Sequence, residues 1–182
     1  TDLKRKRTFP EKAEDGAIKV FGKNLEQLLM QPPIAGQTVL GWDPAFRTGC
    51  KLAVVDPTGK VLDTTVVYPT APTNEKKIRA AKDTVEAMIR KYHISLISVG
   101  NGTASRESEQ VIVDMLKEIP EAKVQYVITN EAGASVYSAS KLATEEFPNF
   151  DVGQRSATSI ARRVQDPLAE LVKIDPKAIG VG

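Results

Sequence analysis

The sequence has very few of the residues that build disulfide frameworks, zinc sites and histidine-dependent catalytic centres. Its 182 residues include one cysteine, Cys50, and one histidine, His93, and only 5% of the residues are aromatic. A single cysteine excludes an internal disulfide framework and any multi-cysteine metal site. We predict that Cys50 packs as a small hydrophobic residue, and that His93 is a boundary residue between a helix and a strand.

Long hydrophobic runs and an excess of charge of one sign are also missing. No apolar stretch approaches the ~20 residues of a membrane-spanning helix, and no hydrophobic signal segment follows the basic start, which predicts a cytoplasmic protein without a membrane partner. The net charge is +2, from 25 basic and 23 acidic side chains. Residues 1–7 contribute four basic and one acidic side chain, so the rest of the chain has a net charge of −1. Any contact with nucleic acid must therefore come from a local basic patch.

The common phosphate-binding and hydrolase motifs are absent as well. The sequence contains no Walker loop, no GxGxxG dinucleotide fingerprint, no HExxH metal motif and no GxSxG nucleophile elbow. The side chains that remain as candidates for chemistry are carboxylates at the ends of predicted strands and helices.

Hydrophobic periodicity and turn residues predict a mixed α/β chain. A helix is predicted over residues 10–30, and the two prolines at 32 and 33 end it in a linker. The predicted strands are 39–42, 51–55, 60–68, 94–99 and 124–129. The predicted helices that follow are 74–92, one capped by Ser105 and ended by Pro120, a short one near 136–146, and, after a loop at 148–153, a final one that includes 157–168.

Three strands in succession imply antiparallel hairpins, and the later alternation of strands and helices implies crossover connections. This order predicts a ribonuclease H-like α/β fold: a mixed five-stranded sheet with helices on both faces, preceded by an N-terminal helix. The predicted organisation is an N-terminal helix and linker at 1–36, the sheet domain at 37–173, and a linker towards a further domain at 174–182.

Three carboxylates lie where such a sheet would bring them to one edge. Asp43 ends the first predicted strand, Glu131 follows the fifth, and Asp166 lies late in the final helix. Three converging carboxylates can hold two Mg²⁺ ions, which activate a water and stabilise the leaving oxygen in phosphodiester hydrolysis.

Each carboxylate also has a structural alternative. Asp43 precedes Pro44 and suits the opening of a turn. Glu131 follows Asn130 and suits a helix N-terminus. Asp166 precedes a proline and suits an N-cap, or it can pair with Arg162 four residues earlier. The sequence alone leaves both interpretations open.

Several segments resemble one family closely. The segment at 40–51 is LGWDPAFRTGCK, which resembles the opening strand and turn of the YqgF domain, a member of the Holliday-junction-resolvase branch of the ribonuclease H-like superfamily. The segment at 155–171, RSATSIARRVQDPLAEL, is similar to the YqgF domain of the Tex family of transcription accessory proteins. GNGTASRE at 100–107 and NEAGASVYS at 130–138 agree with the same family, as does the helix around 17–25.

The resemblance implies a fragment of a longer nucleic-acid-binding protein that acts in transcription. Proteins of this family surround the YqgF domain with helix-turn-helix, helix-hairpin-helix and RNA-binding domains, so neighbouring domains and the transcription machinery are implied partners. Ala45 and Asn130 depart from the resolvase pattern, and residues 100–102 offer no fourth acid. The implied role is therefore a binding and scaffold module. A Mg²⁺-dependent nuclease using Asp43, Glu131 and Asp166 and a protein-interaction module with a degenerate site are the alternatives.

Basic residues near these carboxylates form the predicted nucleic-acid contact. We expect weak binding without sequence preference, because acidic residues lie close to several of them. Arg47 follows the first acid by four residues, and it either reaches a phosphate or braces a carboxylate. The predicted contact residues are Arg47, Lys51, Arg106, Lys141, Arg155, Arg162 and Arg163.

Overall fold

The computed structural model describes residues 36–131 and 145–165. Within these residues the chain forms five strands, three α-helices, one 3₁₀ turn at Pro120–Ala122 and two further helical residues at 145–146. The strands are β1 (Val39–Asp43), β2 (Cys50–Val55), β3 (Val61–Val67), β4 (Leu96–Gly100) and β5 (Gln125–Thr129). The helices are α1 (Glu75–Tyr92), α2 (Ser105–Glu118) and α3 (Val152–Gln165).

The five strands form one mixed sheet in the order β3-β2-β1-β4-β5. β1 pairs antiparallel with β2, and β2 with β3, whereas β1 pairs parallel with β4, and β4 with β5. This arrangement confirms the predicted hairpins and crossovers. The predicted N-terminal helix, the end of the final helix and the linker at 174–182 lie outside the described residues. Of the predicted short helix near 136–146, only residues 145 and 146 are described, and both are helical.

Helices cover both faces of the sheet, as predicted. Leu40 and Trp42 on β1 face the larger core, which includes Val85 and Met88 of α1 and Ile112 of α2. Val39 faces the opposite side, where it packs with Ala161 and Val164 of α3. The alternation of side chains along the strand assigns these residues to two faces.

Gly41 lets α3 lie directly on the sheet. A Cβ atom at this position would collide with the backbone oxygen of Ala157 and would lie 2.9 Å from the Cβ of Ala161. Residues 156–161 of α3 are all buried, including three hydroxyl side chains. The helix therefore reaches the centre of the sheet, beside the end of β1.

The helix ends show where local sequence rules held and where they did not. Asn74 caps α1, and its side chain accepts a hydrogen bond from the Lys77 N–H at 2.9 Å. His93 ends α1 in the left-handed conformation (φ 55°), which confirms it as a boundary residue. Ser105 is the first residue of α2 rather than its cap, because Ala104 takes the cap position at φ 66° without a side-chain bond.

The start of α3 lies within the predicted loop at 148–153. Asp151 accepts a hydrogen bond from the Gln154 N–H at 2.7 Å, and the Gln154 side chain accepts one from the Asp151 N–H at 2.9 Å. This reciprocal pair is a capping box, and it starts the helix at Val152. No helix among the described residues is long and apolar enough to cross a membrane.

Candidate carboxylate site and its basic rim

The candidate site lies at the edge of the sheet where β1, β4 and β5 all end. These three strands are parallel neighbours, so their carboxyl ends meet. Asp43 is the last residue of β1, Gly100 is the last of β4, and Glu131 lies two residues beyond β5. Ligands of open α/β sheets bind outside the carboxyl ends of such strands.

Glu131 is held by the loop that follows β4. The Gly102 N–H donates to Glu131 Oε2 at 3.1 Å, and the Glu131 N–H donates to the Asn101 side-chain oxygen at 3.2 Å. A Cβ atom at Gly100 would collide with Glu131 Oε2, and one at Gly102 would lie 2.7 Å from Glu131 Oε1. The two glycines therefore leave the room that the carboxylate occupies.

Asp43 is a mostly buried carboxylate in an electrostatically unfavourable position. Burial, followed by the negative charge of Glu131, raises its pKa from 3.8 to about 6. The Ser156 hydroxyl and the positive charge of Lys51 lower the pKa by smaller amounts. Burial also raises the pKa of Glu131, and the Gly102 N–H and the Arg163 charge oppose that rise. The negative charge of Glu131 is thus near enough to disfavour the ionised form of Asp43.

The structure brings together two of the three predicted acids. Asp166 lies outside the described residues, and no group of three or more histidine, cysteine, aspartate or glutamate side chains within 36–131 and 145–165 could hold a metal ion. The donors at Asp43 and Glu131 are nevertheless all oxygens, which Mg²⁺ prefers. Two half-buried carboxylates at one edge also match a divalent cation in charge.

Three basic residues lie on or beside the same edge. Arg47 is exposed in the loop after β1, and Arg106 is exposed in the first turn of α2. Lys51 pairs with Asp43 across β1 and β2, and its ammonium donates to the carbonyls of Thr48 at 2.9 Å and Gly49 at 3.1 Å. Within the described residues Arg47 forms no ion pair, so it does not brace Asp43 or Glu131.

The three arginines of α3 take part in contacts within the domain, which corrects their assignment to an open phosphate-binding surface. Arg155 and Arg163 are only 8% and 1% exposed, and they donate to the carbonyls of Phe147 and Asn130. Arg162 pairs with Glu146 at 2.7 Å and donates to the Gly59 carbonyl. These side chains point into the domain because α3 is covered by the sheet and its loops. Lys141 lies outside the described residues.

The structure also adds residues that the sequence did not single out. The Ser156 hydroxyl lies beside Asp43 and lowers its pKa, and Asn101 and Gly102 hold Glu131. The only sequence signal was the glycine-rich turn after β4, whereas nothing marks Ser156 among the small residues of α3. Cys50 is buried in the larger core, as predicted, with its Sγ 3.6 Å from the Ser108 hydroxyl.

Comparison with known proteins adds two relatives of similar sequence. Protein tex of Bordetella pertussis is 55% identical over 172 residues, which is 94% of this chain and 22% of that protein. Transcriptional accessory protein Tex of Neisseria gonorrhoeae is 48% identical over 181 residues, which is 100% of this chain and 23% of that protein. The chain therefore spans less than a quarter of the length of these relatives.

A solved structure and a family model complete the comparison. RuvC of Thermus thermophilus, in complex with a Holliday junction substrate, aligns with a TM-score of 0.54 and 16% identity, over 76% of this chain and 98% of that one. This likeness shows a ribonuclease H-like fold. The model of the Tex protein YqgF-like domain matches residues 37–165, which is most of the chain. Together with the sheet order and the relatives, this match shows that the chain belongs to the Tex family through its YqgF-like domain.

Proposed function

We propose that this domain associates with nucleic acid and acts as a binding and scaffold module in a Tex-like transcription accessory protein. The observation that carries the proposal is the position of Arg47 and Arg106. Both are exposed, and both lie on the segments that follow β1 and β4, at the edge that holds Asp43 and Glu131. The names of the relatives support a role in transcription, and the RuvC complex supports contact with nucleic acid through this fold.

The proposed contact is small, so the affinity is low. Exposed cations provide most non-specific affinity for nucleic acid, with each phosphate contact adding about 0.7–0.9 to the logarithmic salt slope. Two rim arginines and a chain that is nearly neutral beyond residue 7 do not make a wide positive groove. We expect a Kd of ~10⁻⁴ to 10⁻⁶ M at physiological salt, with residues 4–7 contributing a large share.

The double variant Arg47→Ala/Arg106→Ala tests this proposal. It is expected to lower the salt slope by about 1.5 and to weaken binding to short single- and double-stranded DNA and RNA. Fluorescence anisotropy at several salt concentrations, with and without residues 1–7, measures both quantities. The matched control is Lys117→Ala/Lys123→Ala, which removes two exposed cations from the opposite end of the sheet. If the two double variants lose the same amount of affinity, Arg47 and Arg106 do not form the contact with nucleic acid. Nanomolar affinity in Arg47→Ala/Arg106→Ala would lead to the same conclusion.

A Mg²⁺-dependent phosphodiesterase is the second candidate function. The observation that favours it is the mutual repulsion of Asp43 and Glu131, which a divalent cation would relieve. Asp43, Glu131 and, from the sequence, Asp166 are the residues that would hold the ion. Bound Mg²⁺ would supply an activated water and charge stabilisation at the leaving oxygen.

A Mn²⁺ titration followed by the fluorescence of Trp42 tests for this cation site. Trp42 is the only tryptophan, it is buried, and it precedes Asp43 on β1. We expect a saturable change in emission for the wild type and its loss in Asp43→Asn. Asp114→Asn is the control, since Asp114 lies on α2 and bonds to Gln110 away from the strand ends. If Mn²⁺ leaves the emission of the wild type unchanged, or changes that of Asp43→Asn equally, the proposed cation site at Asp43 is rejected.

A further inference from the structure

We propose that a buried cluster of two hydroxyls and one thiol positions the rim arginines, Arg47 and Arg106, so that they contact one nucleic-acid strand as a unit. The cluster consists of the side chains of Cys50, Thr70 and Ser108. Thr70 and Ser108 are positioning residues in this proposal, because they act through the arginines. The inference rests on the proposed function, which the rim arginines carry, and it adds what holds them in place.

The rim arginines have no side-chain partner of their own in the part of the chain that the structure describes. Both are exposed, and neither forms a hydrogen bond or an ion pair there through its guanidinium. Their positions are therefore set by the backbone that carries them. Arg47 lies in the loop at 44–49 between β1 and β2, and Arg106 lies in the first turn of α2. Whatever holds this loop against this turn also sets the separation of the two charges.

The loop that carries Arg47 is anchored through the carbonyl of Ala45. The hydroxyl of Thr70 donates a hydrogen bond to this carbonyl, and the thiol of Cys50 donates to it at 3.6 Å. Thr70 is 2% exposed and Cys50 is fully buried, so both donors are shielded from water. Because Ala45 is only two residues from Arg47, these bonds restrict the backbone on which the arginine is carried.

The same cluster holds the first turn of α2. The hydroxyl of Ser108 lies 3.6 Å from the Sγ atom of Cys50, which in turn lies 3.9 Å from the hydroxyl of Thr70. Ser108 is fully buried, and Arg106 lies two residues before it on the same helix. Cys50 therefore connects the loop after β1 with the start of α2 from inside the domain.

The polar character of the cluster favours a positioning role over a packing role. Valine and alanine would fill much the same space, and a buried polar pair adds little net stability over apolar groups of the same shape. Hydrogen bonds do fix the distance and the angle between the groups that they join. The cluster therefore specifies where the loop and the helix lie relative to each other.

Fixed positions strengthen the contact with phosphate without any further charge. A mobile loop loses conformational freedom when it binds, whereas a loop that is already held in place loses less. Loosening the cluster is therefore expected to weaken binding although both arginines remain.

Thr70→Val tests this inference in the whole chain. Valine keeps the shape of threonine and removes the donor to the Ala45 carbonyl. Fluorescence anisotropy with short single-stranded DNA and RNA at several salt concentrations, below the melting temperature, measures the salt slope. We expect the slope to fall by about 0.7–0.9, the contribution of one phosphate contact. In the Arg47→Ala background Thr70→Val is expected to cause no further fall, because Thr70 acts through that arginine.

Two further variants separate positioning from stability. Thr70→Ser keeps the hydroxyl donor and is expected to retain the wild-type slope. Thr158→Val is the matched control, since Thr158 is 1% exposed and its hydroxyl donates to the Gln154 carbonyl within α3 at 2.9 Å. It removes a buried hydroxyl far from the loop in sequence and is expected to leave the slope unchanged, even where it lowers the melting temperature.

The outcomes separate this inference from the proposed function. An unchanged slope in Arg47→Ala would reject the proposed function, and the inference with it. If Arg47→Ala lowers the slope but Thr70→Val does not, or if Thr70→Val lowers it equally with and without Arg47, only the inference is rejected. Ser108→Ala provides the test if Thr70→Val does not fold. It is expected to lower the slope of the wild type but not that of Arg106→Ala, and any other result would overturn the inference.

Discussion

Gly41→Ala is expected to lower the free energy of unfolding by about 3 kcal/mol, near the upper end of the usual cost of overpacking. The added methyl group would meet the backbone oxygen of Ala157 and the Cβ of Ala161 on α3. Neither group can move by a change of rotamer, so α3 would have to shift away from the sheet. The melting temperature is expected to fall by about 6–12 °C in thermal unfolding followed by circular dichroism.

Gly153→Ala is the matched control for this prediction. It makes the same substitution on α3, but its Cβ would meet only side-chain atoms of Lys51, the nearest being Cγ at 2.5 Å. A lysine stem can rotate, and alanine in a helix is favoured over glycine by up to about 1 kcal/mol. We therefore expect a change within about 1 kcal/mol. If Gly41→Ala and Gly153→Ala have the same melting temperature, α3 does not lie on β1 as closely as the structure shows.

Asp43→Asn is expected to make the protein more stable at pH 7.5 by about 1–2 kcal/mol, although it removes a candidate site residue. Burial and Glu131 raise the pKa of Asp43 in the folded protein to about 6, above its ordinary value of 3.8. The folded state therefore binds this proton more tightly than the unfolded state does. The wild type loses stability as the pH rises from about 4 through 6, and the loss is complete above pH 6. The amide of the Asp43→Asn variant cannot ionise, so the stability of this variant does not fall over the same pH range.

Urea unfolding in EDTA at pH 4, 5, 6 and 7.5 measures the effect. The difference between Asp43→Asn and the wild type should be small at pH 4 and should grow towards pH 7.5. Asp114→Asn, on α2, is the control and should follow the wild type at every pH. A wild type that gains stability from pH 4 to 6 relative to Asp43→Asn would contradict the placement of Asp43 next to Glu131.

Much of the fold follows from local features of the sequence. The turn between β2 and β3 forms because Asp56 accepts hydrogen bonds from the backbone N–H groups of Thr58 at 2.9 Å and Lys60 at 3.0 Å. Such turn residues, and the period-two and helical patterns on either side, act over a few residues and can be recognised without the fold. The same patterns placed Asp43 and Glu131 at strand ends. Once the strand order was predicted, it followed that the two carboxylates lie at the same edge of the sheet.

The properties of α3 could not be predicted in this way. Arginine is usually exposed, and the sequence therefore predicted that Arg155, Arg162 and Arg163 contact phosphate. In the structure, Ser156 lies buried beside Asp43 and Arg163 lies buried beside Asn130. Their burial depends on Gly41, which allows the helix to approach the sheet.

The sequence by itself determined the strands, most helix ends and the two acids at the edge of the sheet, because these depend on neighbours a few residues away. The tertiary structure alone decided which polar groups surround those acids and which cations face solvent. Asp43 and Ser156 are more than a hundred positions apart in the sequence. Their contact, the high pKa of Asp43 and the burial of Arg163 arise only when α3 packs over the end of β1, since burial and charge proximity are properties of the packed whole.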